Sequence, residues 1–138
     1  MNDMNKEEAI LEHYGLEPEL KYRGMLRSLL NEEINNEDAE DNEYLKTLCI
    51  MLFSIGEVED SLIIWEAKQK NFDTSCYIDA QLLCGAGVDY TIDYLMTIAS
   101  KEAQQEMNYL RKRKDIDFVS FSKREIINNY KQYYGINV

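Results

Sequence analysis

Three cysteines, one histidine and an excess of carboxylates are the residues from which this chain could build chemistry. Cys49, Cys76 and Cys84 act as nucleophiles only as thiolates, which requires a base beside the sulfur and a further group to orient that base. The sole histidine, His13, lies just before Gly15 in a short amphipathic segment, and its sequence neighbour Glu12 points elsewhere. The cysteines are odd in number, sit in apolar surroundings and form no C-x-x-C pair, so they are expected to be reduced and buried. Serine hydrolysis lacks its G-x-S-x-G elbow. Glu8 with Glu12, and Asp89 with Asp93, are i,i+4 carboxylate pairs that could chelate a hard cation. Neither an E-x-x-H pattern nor an EF-hand loop accompanies them, and solvated acidic faces are the expectation. Cys84-Gly85-Ala86-Gly87 has two glycines of a dinucleotide loop, but Tyr90 stands at the third position and the preceding segment is helical in pattern, which makes it a helix–helix turn. No catalytic residue, metal or cofactor is expected.

Charge is more informative. The 138 residues hold 26 acidic and 15 basic side chains, for a formal charge of −11. Residues 1–43 contain 13 acids and 4 bases, residues 44–100 contain 8 and 3, and residues 101–138 contain 5 and 8. An acidic front argues against nucleic-acid binding, which draws affinity from lysine and arginine against phosphate. The basic run Arg111 to Lys114, with Lys123, Arg124 and Lys131, fits a helix terminus that complements acids within the monomer or in a neighbour. No stretch approaches the roughly 18 apolar residues of a membrane span. The start, Met1 to Glu8, lacks the apolar region and basic character of a targeting peptide. A cytoplasmic location is expected, and the 44 Asn, Ile, Lys and Tyr residues suggest AT-rich, bacterial codons.

The elements that must position these groups are helices, because proline and glycine are scarce. Helices are expected at about 6–13, at 18–32 with Pro18 in the first turn, and at 44–55, where apolar residues run nearly all round, as in a buried central helix. Gly56 stops that helix, and 57–71 returns against it as a hairpin. A second hairpin joins a helix capped among Asp73, Thr74 and Ser75, and running to Cys84, with one at 88–99. A helix ending in Arg111–Lys114, an extended stretch at 116–121 and a final helix at 123–134 follow. Ser122 and Glu125 have capping-box spacing, with Phe121 and Ile126 as the hydrophobic staple. The expected fold is all-α: about seven helices in antiparallel hairpins, stacked as a short solenoid or bundle. It forms a single domain with 1–43 as acidic N-terminal helices and loop, 44–98 as central hairpins and 99–138 as C-terminal capping helices.

Within the centre, Leu45, Leu48, Cys49 and Leu52, then Gly56, Ser61 and Trp65, follow the order and spacing of a tetratricopeptide unit. Residues 45–98 resemble that family. The pattern departs at Asp73, where a proline is usual, at Ile92, where a small residue is usual, and in the 31 residues from Gly56 to Gly87 against the usual repeat of about 34. The resemblance implies a helical shape and a habit of protein binding, with no catalytic residues.

The leading expectation is therefore a non-catalytic protein–protein interaction module. Its acidic docking surface would comprise Glu32, Glu33, Glu37, Asp38, Glu40, Asp41 and Glu43, continuing through Glu57, Glu59 and Asp60. A basic protein partner fits it, either as the target of a small immunity-type inhibitor or within a larger assembly. Among ten tyrosines, Tyr90 and Tyr94 and the cluster Tyr130, Tyr133 and Tyr134 are candidate aromatic contacts. The acidic front and basic tail could also satisfy each other, within one molecule or head to tail in a homo-oligomer. The alternative is a small-ligand-binding protein or enzyme whose pocket gathers scattered residues such as Glu12, His13, Tyr90 and Tyr94.

Overall fold

Helix starts in this chain are set by a few polar side chains. In the computed structural model, which describes residues 5–137, the Asn5 side chain accepts the Glu8 amide and opens α1 (Lys6–Tyr14). Ser100 accepts the Ala103 amide at the start of α7 (Lys101–Asp117), and Ser122 accepts the Glu125 amide at the start of α8 (Lys123–Tyr133). The cap expected at Ser122 is present. Between these lie α2 (Arg23–Ile34), α3 (Glu43–Ile55), α4 (Ser61–Lys68), α5 (Phe72–Tyr77) and α6 (Val88–Met96). Among the described residues there are eight α-helices and no strand, so the fold is all-α as expected. Residues Met1–Met4, part of the start expected to lack a targeting signal, lie outside the described residues.

Four boundaries differ from the sequence reading, each for an identifiable physical reason. Pro18 does not open a helix: the chain is extended at Glu19 and enters α2 through a 3-10 turn at Leu20–Tyr22. The cap after α4 is Asn71, which exchanges hydrogen bonds with Thr74 in a capping box, and α5 is short. The continuous helix expected to reach Cys84 breaks at Ile78, because the Lys68 ammonium donates to the Ser75 and Ile78 carbonyls that further helical turns would use. Finally, helix replaces the first part of the expected extended stretch at 116–121. An Arg113–Asp117 ion pair at 2.6 Å closes the last turn of α7, and only residues 118–122 remain as a turn.

The core is built around α3. Leu45, Leu48, Cys49, Ile50, Met51, Leu52 and Phe53 are all buried, as the all-round apolar pattern requires. Its most extensive packing is on α2, while α6 packs most extensively on α7. The expected pairing of 44–55 with 57–71 is the weaker contact, because α4 also packs against α2, α5 and α7. The turn after α3 closes tightly on the turn before α6. Gly56 is left-handed, with φ 84°, and a Cβ on Gly85 would lie 2.4 Å from the Phe53 carbonyl oxygen. Lys123 from α8 donates to the Gly85 carbonyl at 2.9 Å, tying the C-terminal helix to this junction.

Two further lysines serve carbonyl groups in the same way. Lys70 donates to the Glu33 and Asn36 carbonyls, each at 2.9 Å, and finishes the C-terminal end of α2. Lys68 is almost fully buried, and burial lowers its pKa. Helix carbonyls therefore consume basic side chains that composition alone would count against the acids.

Candidate functional site

The acids expected to form one docking surface have three different fates. Asp60 is not a surface residue. Only 1% exposed, it receives Arg23 through two hydrogen bonds, at 2.8 and 3.0 Å, and Arg27 through another. Glu59 lies 3.9 Å from the same Arg23 guanidinium. Glu57, Glu59 and Asp60 thus belong to the N-terminal end of α2, whereas Glu32 and Glu33 lie near its other end, about 15 Å along the helix axis. The surface is accordingly not continuous through Asp60.

Glu43 is likewise engaged, accepting hydrogen bonds from Tyr77 and Tyr133. In contrast, Glu32, Glu37, Asp38, Glu40 and Asp41 are exposed, and none has a salt-bridge partner among the described residues. Asp41 accepts the Glu43 amide at 3.0 Å, which places its carboxylate at the positive end of α3. The α1 acids extend this region: burial raises the pKa of Glu7, and the charges of Asp41, Glu43 and Glu8 raise it further.

Beside these acids, α1, α2 and α3 leave a cleft of about 760 Å³. Ile10 and Ala9 from α1, Met25 and Leu29 from α2 and Tyr44 from α3 give it an apolar lining, and Glu32 and Glu33 an acidic wall. Glu33 is only 6% exposed and has no cationic partner among the described residues. One of its oxygens accepts the Asn36 side-chain amide at 3.3 Å. His13, packed edge to face on Tyr14 with ring centroids 4.6 Å apart, also lines this cleft. Lys6 lies over the Tyr44 ring, 5.5 Å from its centroid.

The C-terminal tyrosines largely hold α8 in place. Tyr130 donates to Asp79 at 2.5 Å, Tyr133 to Glu43 at 3.0 Å, and the Tyr134 hydroxyl bonds that of Thr47 at 2.8 Å. Burial, the first cause in each case, raises the pKa of Tyr130 and Tyr134. Lys46 lies over the rings of Tyr77 and Tyr130 at 4.2 and 5.2 Å. Tyr90 is exposed on α6, and Tyr94 packs partly against the core.

The pieces of the alternative pocket are not brought together. Glu12 lines a different depression from His13, and Tyr90 and Tyr94 lie on α6, which packs on α7 while α1 packs on α3. Of the cysteines, Cys49 and Cys84 are buried and Cys76 is exposed, correcting the expectation that all three are buried. Burial pushes the Cys49 thiol up and the Cys84 thiol up to about 12, so both hold their protons at neutral pH. Among the described residues no group of three or more His, Cys, Asp or Glu is arranged to hold a metal ion, and no helix is long and apolar enough to cross a membrane.

The basic tail meets acids of the same molecule. Glu17 accepts from Arg124 at 2.6 Å and Lys131 at 2.5 Å, and these hydrogen bonds hold its carboxyl down at about 2. Lys114 pairs with Asp89 at 2.5 Å. The cleft's apolar residues were legible only as core-facing positions. What opens it is the way α1 meets α2 and α3, for which one short amphipathic segment carries no signal. No family model, curated protein or solved structure matches the chain.

Proposed function

We propose that this chain is a non-catalytic protein-binding module that docks a basic, amphipathic segment of a partner on the cleft between α1, α2 and α3. The observation that carries this reading is the juxtaposition of an apolar-lined cleft with Glu32, Glu37, Asp38, Glu40 and Asp41, exposed acids that lack salt-bridge partners among the described residues. Apolar contact supplies affinity in such a site, and the acids supply steering and choice of partner. The intramolecular pairs at Glu17 and Asp89 favour this over a head-to-tail assembly, since they occupy Arg124, Lys131 and Lys114 within the monomer. An immunity-type inhibitor of a cationic protein is one form of the module, and an adaptor in a cytoplasmic assembly is another.

The test is fluorescence anisotropy with a labelled amphipathic helix bearing leucine on one face and arginine and lysine on the other. Saturable binding that weakens at least tenfold between 50 and 500 mM salt, on the order expected for several screened charges, supports the reading. Reversing Glu37, Asp38, Glu40 and Asp41 to lysine should abolish binding while leaving the circular dichroism spectrum unchanged. Failure to bind, or binding indifferent to salt and to the reversal, would overturn it.

A further inference from the structure

A carboxylate that folding removes from water normally acquires a cation or several hydrogen bonds, because an ionised group left without them is costly. Asp60 meets that requirement through Arg23 and Arg27. Glu33 is 6% exposed against 1% for Asp60, its carboxylate keeps contact with solvent at the cleft, and the one side-chain hydrogen bond it accepts among the described residues is the 3.3 Å contact from Asn36. The nearby Lys70 ammonium does not compensate it, since it goes to the Glu33 and Asn36 backbone carbonyls. Nor does Lys6, which lies over the Tyr44 ring instead of pairing with Glu33.

The carboxylate lines the cleft beside Tyr44, whose hydroxyl pKa is raised by burial and then by the charges of Glu33 and Glu32. An aromatic ring, two carboxylates and an aliphatic wall are together the complement of a cationic head on an alkyl stem. We propose that Glu33 and Tyr44 form a receptor for one arginine or lysine side chain of the partner, with Glu33 as the counter-ion and Tyr44 as the ring beneath the stem or head, the incoming cation displacing Lys6 from that ring. This rests on the docking reading and deepens it: the loop acids steer the partner in, and Glu33 selects one residue of it. Met25 and Leu29 then lie where the apolar part of the same segment would pack.

The experiment is a titration of isotope-labelled protein, followed by amide NMR shifts, with N-acetyl-arginine amide and, in parallel, uncharged N-acetyl-norleucine amide. The arginine probe should give saturable shifts around Ile10, Leu29 and Tyr44, and the norleucine probe should bind at least tenfold more weakly. Glu33→Gln should weaken arginine binding at least tenfold, Glu37→Gln by less than twofold, and Lys6→Ala should leave it unchanged or tighten it. Equal response to both probes, no saturable response to arginine, or full arginine binding by Glu33→Gln would overturn the receptor. The two readings separate with the basic helical peptide. If Glu33→Gln binds that peptide as wild type does while the loop reversal does not, the receptor falls and docking stands. If the arginine probe saturates wild type in the manner described but the helical peptide does not bind, docking falls and the receptor stands.

Discussion

Glu106 and Glu33 are both largely buried glutamates, at 0% and 6% exposed, and the two sides of the molecule treat them in opposite ways. Glu106 is fully buried where α7 meets α4, with Ser61 donating to one carboxyl oxygen and the other oxygen unpartnered among the described residues. Burial pushes its pKa up to about 8, so the protonated, neutral form predominates at pH 7. Glu33 instead lines an open cleft, where a partner can reach it. Asp60 provides the third case, a buried acid already matched by two arginines. Protonation, an internal ion pair and exposure to a cleft are three ways of handling a buried carboxyl group, and the last leaves the group available to a ligand.

The largest effect should come from breaking the internal pair. Asp60→Ala leaves Arg23 and Arg27 without their shared carboxylate and should cost about 3 to 5 kcal/mol, measured by urea unfolding at neutral pH. A loss below about 1 kcal/mol would mean that the pair behaves as an exposed one.

Glu106→Gln should act in the opposite direction and depend on pH. The ordinary carboxyl value is 4.5 and the folded one about 8, so between them the unfolded chain releases a proton that the folded chain keeps. Wild-type stability then falls as pH rises through this window, by at most about 1.4 kcal/mol per pH unit, and levels off above it. Glutamine removes the titration, so the variant should lose this slope and be more stable at pH 8 by on the order of 4 kcal/mol. Unfolding midpoints collected from pH 5 to 9 would show it, and parallel wild-type and variant curves would contradict it.

Glu17 has the reverse sign. Its folded pKa is depressed to about 2 by Arg124 and Lys131, so its contribution is present above the ordinary value near 4.5 and is lost as pH falls toward 2. The site is open to solvent, which limits the cost of Glu17→Gln to less than about 1 kcal/mol, falling further in high salt. Thermal unfolding at pH 7 and pH 3 tests this: the difference between variant and wild type should shrink at the lower pH.

These cases show where the sequence is readable. The all-α class, the buried α3 and the cap at Ser122 follow from periodicity and local hydrogen bonding, and each needs only neighbours in the chain. The break at Ile78 depends on Lys68, a residue of another helix that takes the carbonyls, and no local pattern announces it. The same distinction governs the acids. Asp60 and Asp41 are alike in a charge count, but one is matched by arginines more than thirty residues away and the other remains exposed. Charge distribution therefore picks out the third of the chain richest in carboxylates, and tertiary contacts decide which of them are available.

The smallest effect on folding should come from Glu33→Gln, and its sign is the sharpest test of the comparison. If Glu33 served the fold as Asp60 does, neutralising it would destabilise. As a nearly buried carboxylate with no cation of its own, it should instead leave stability unchanged or raise it by up to about 0.5 kcal/mol, because glutamine can keep the Asn36 contact without an ionised group. Urea unfolding of the free protein reads the stability, and the arginine probe reads the binding on the same sample. A variant that gains stability while losing the probe places the group among those kept for recognition at the expense of the fold. A variant that loses both returns Glu33 to the structural class of Asp60, and the difference between the two sides of the molecule would then lie only in geometry.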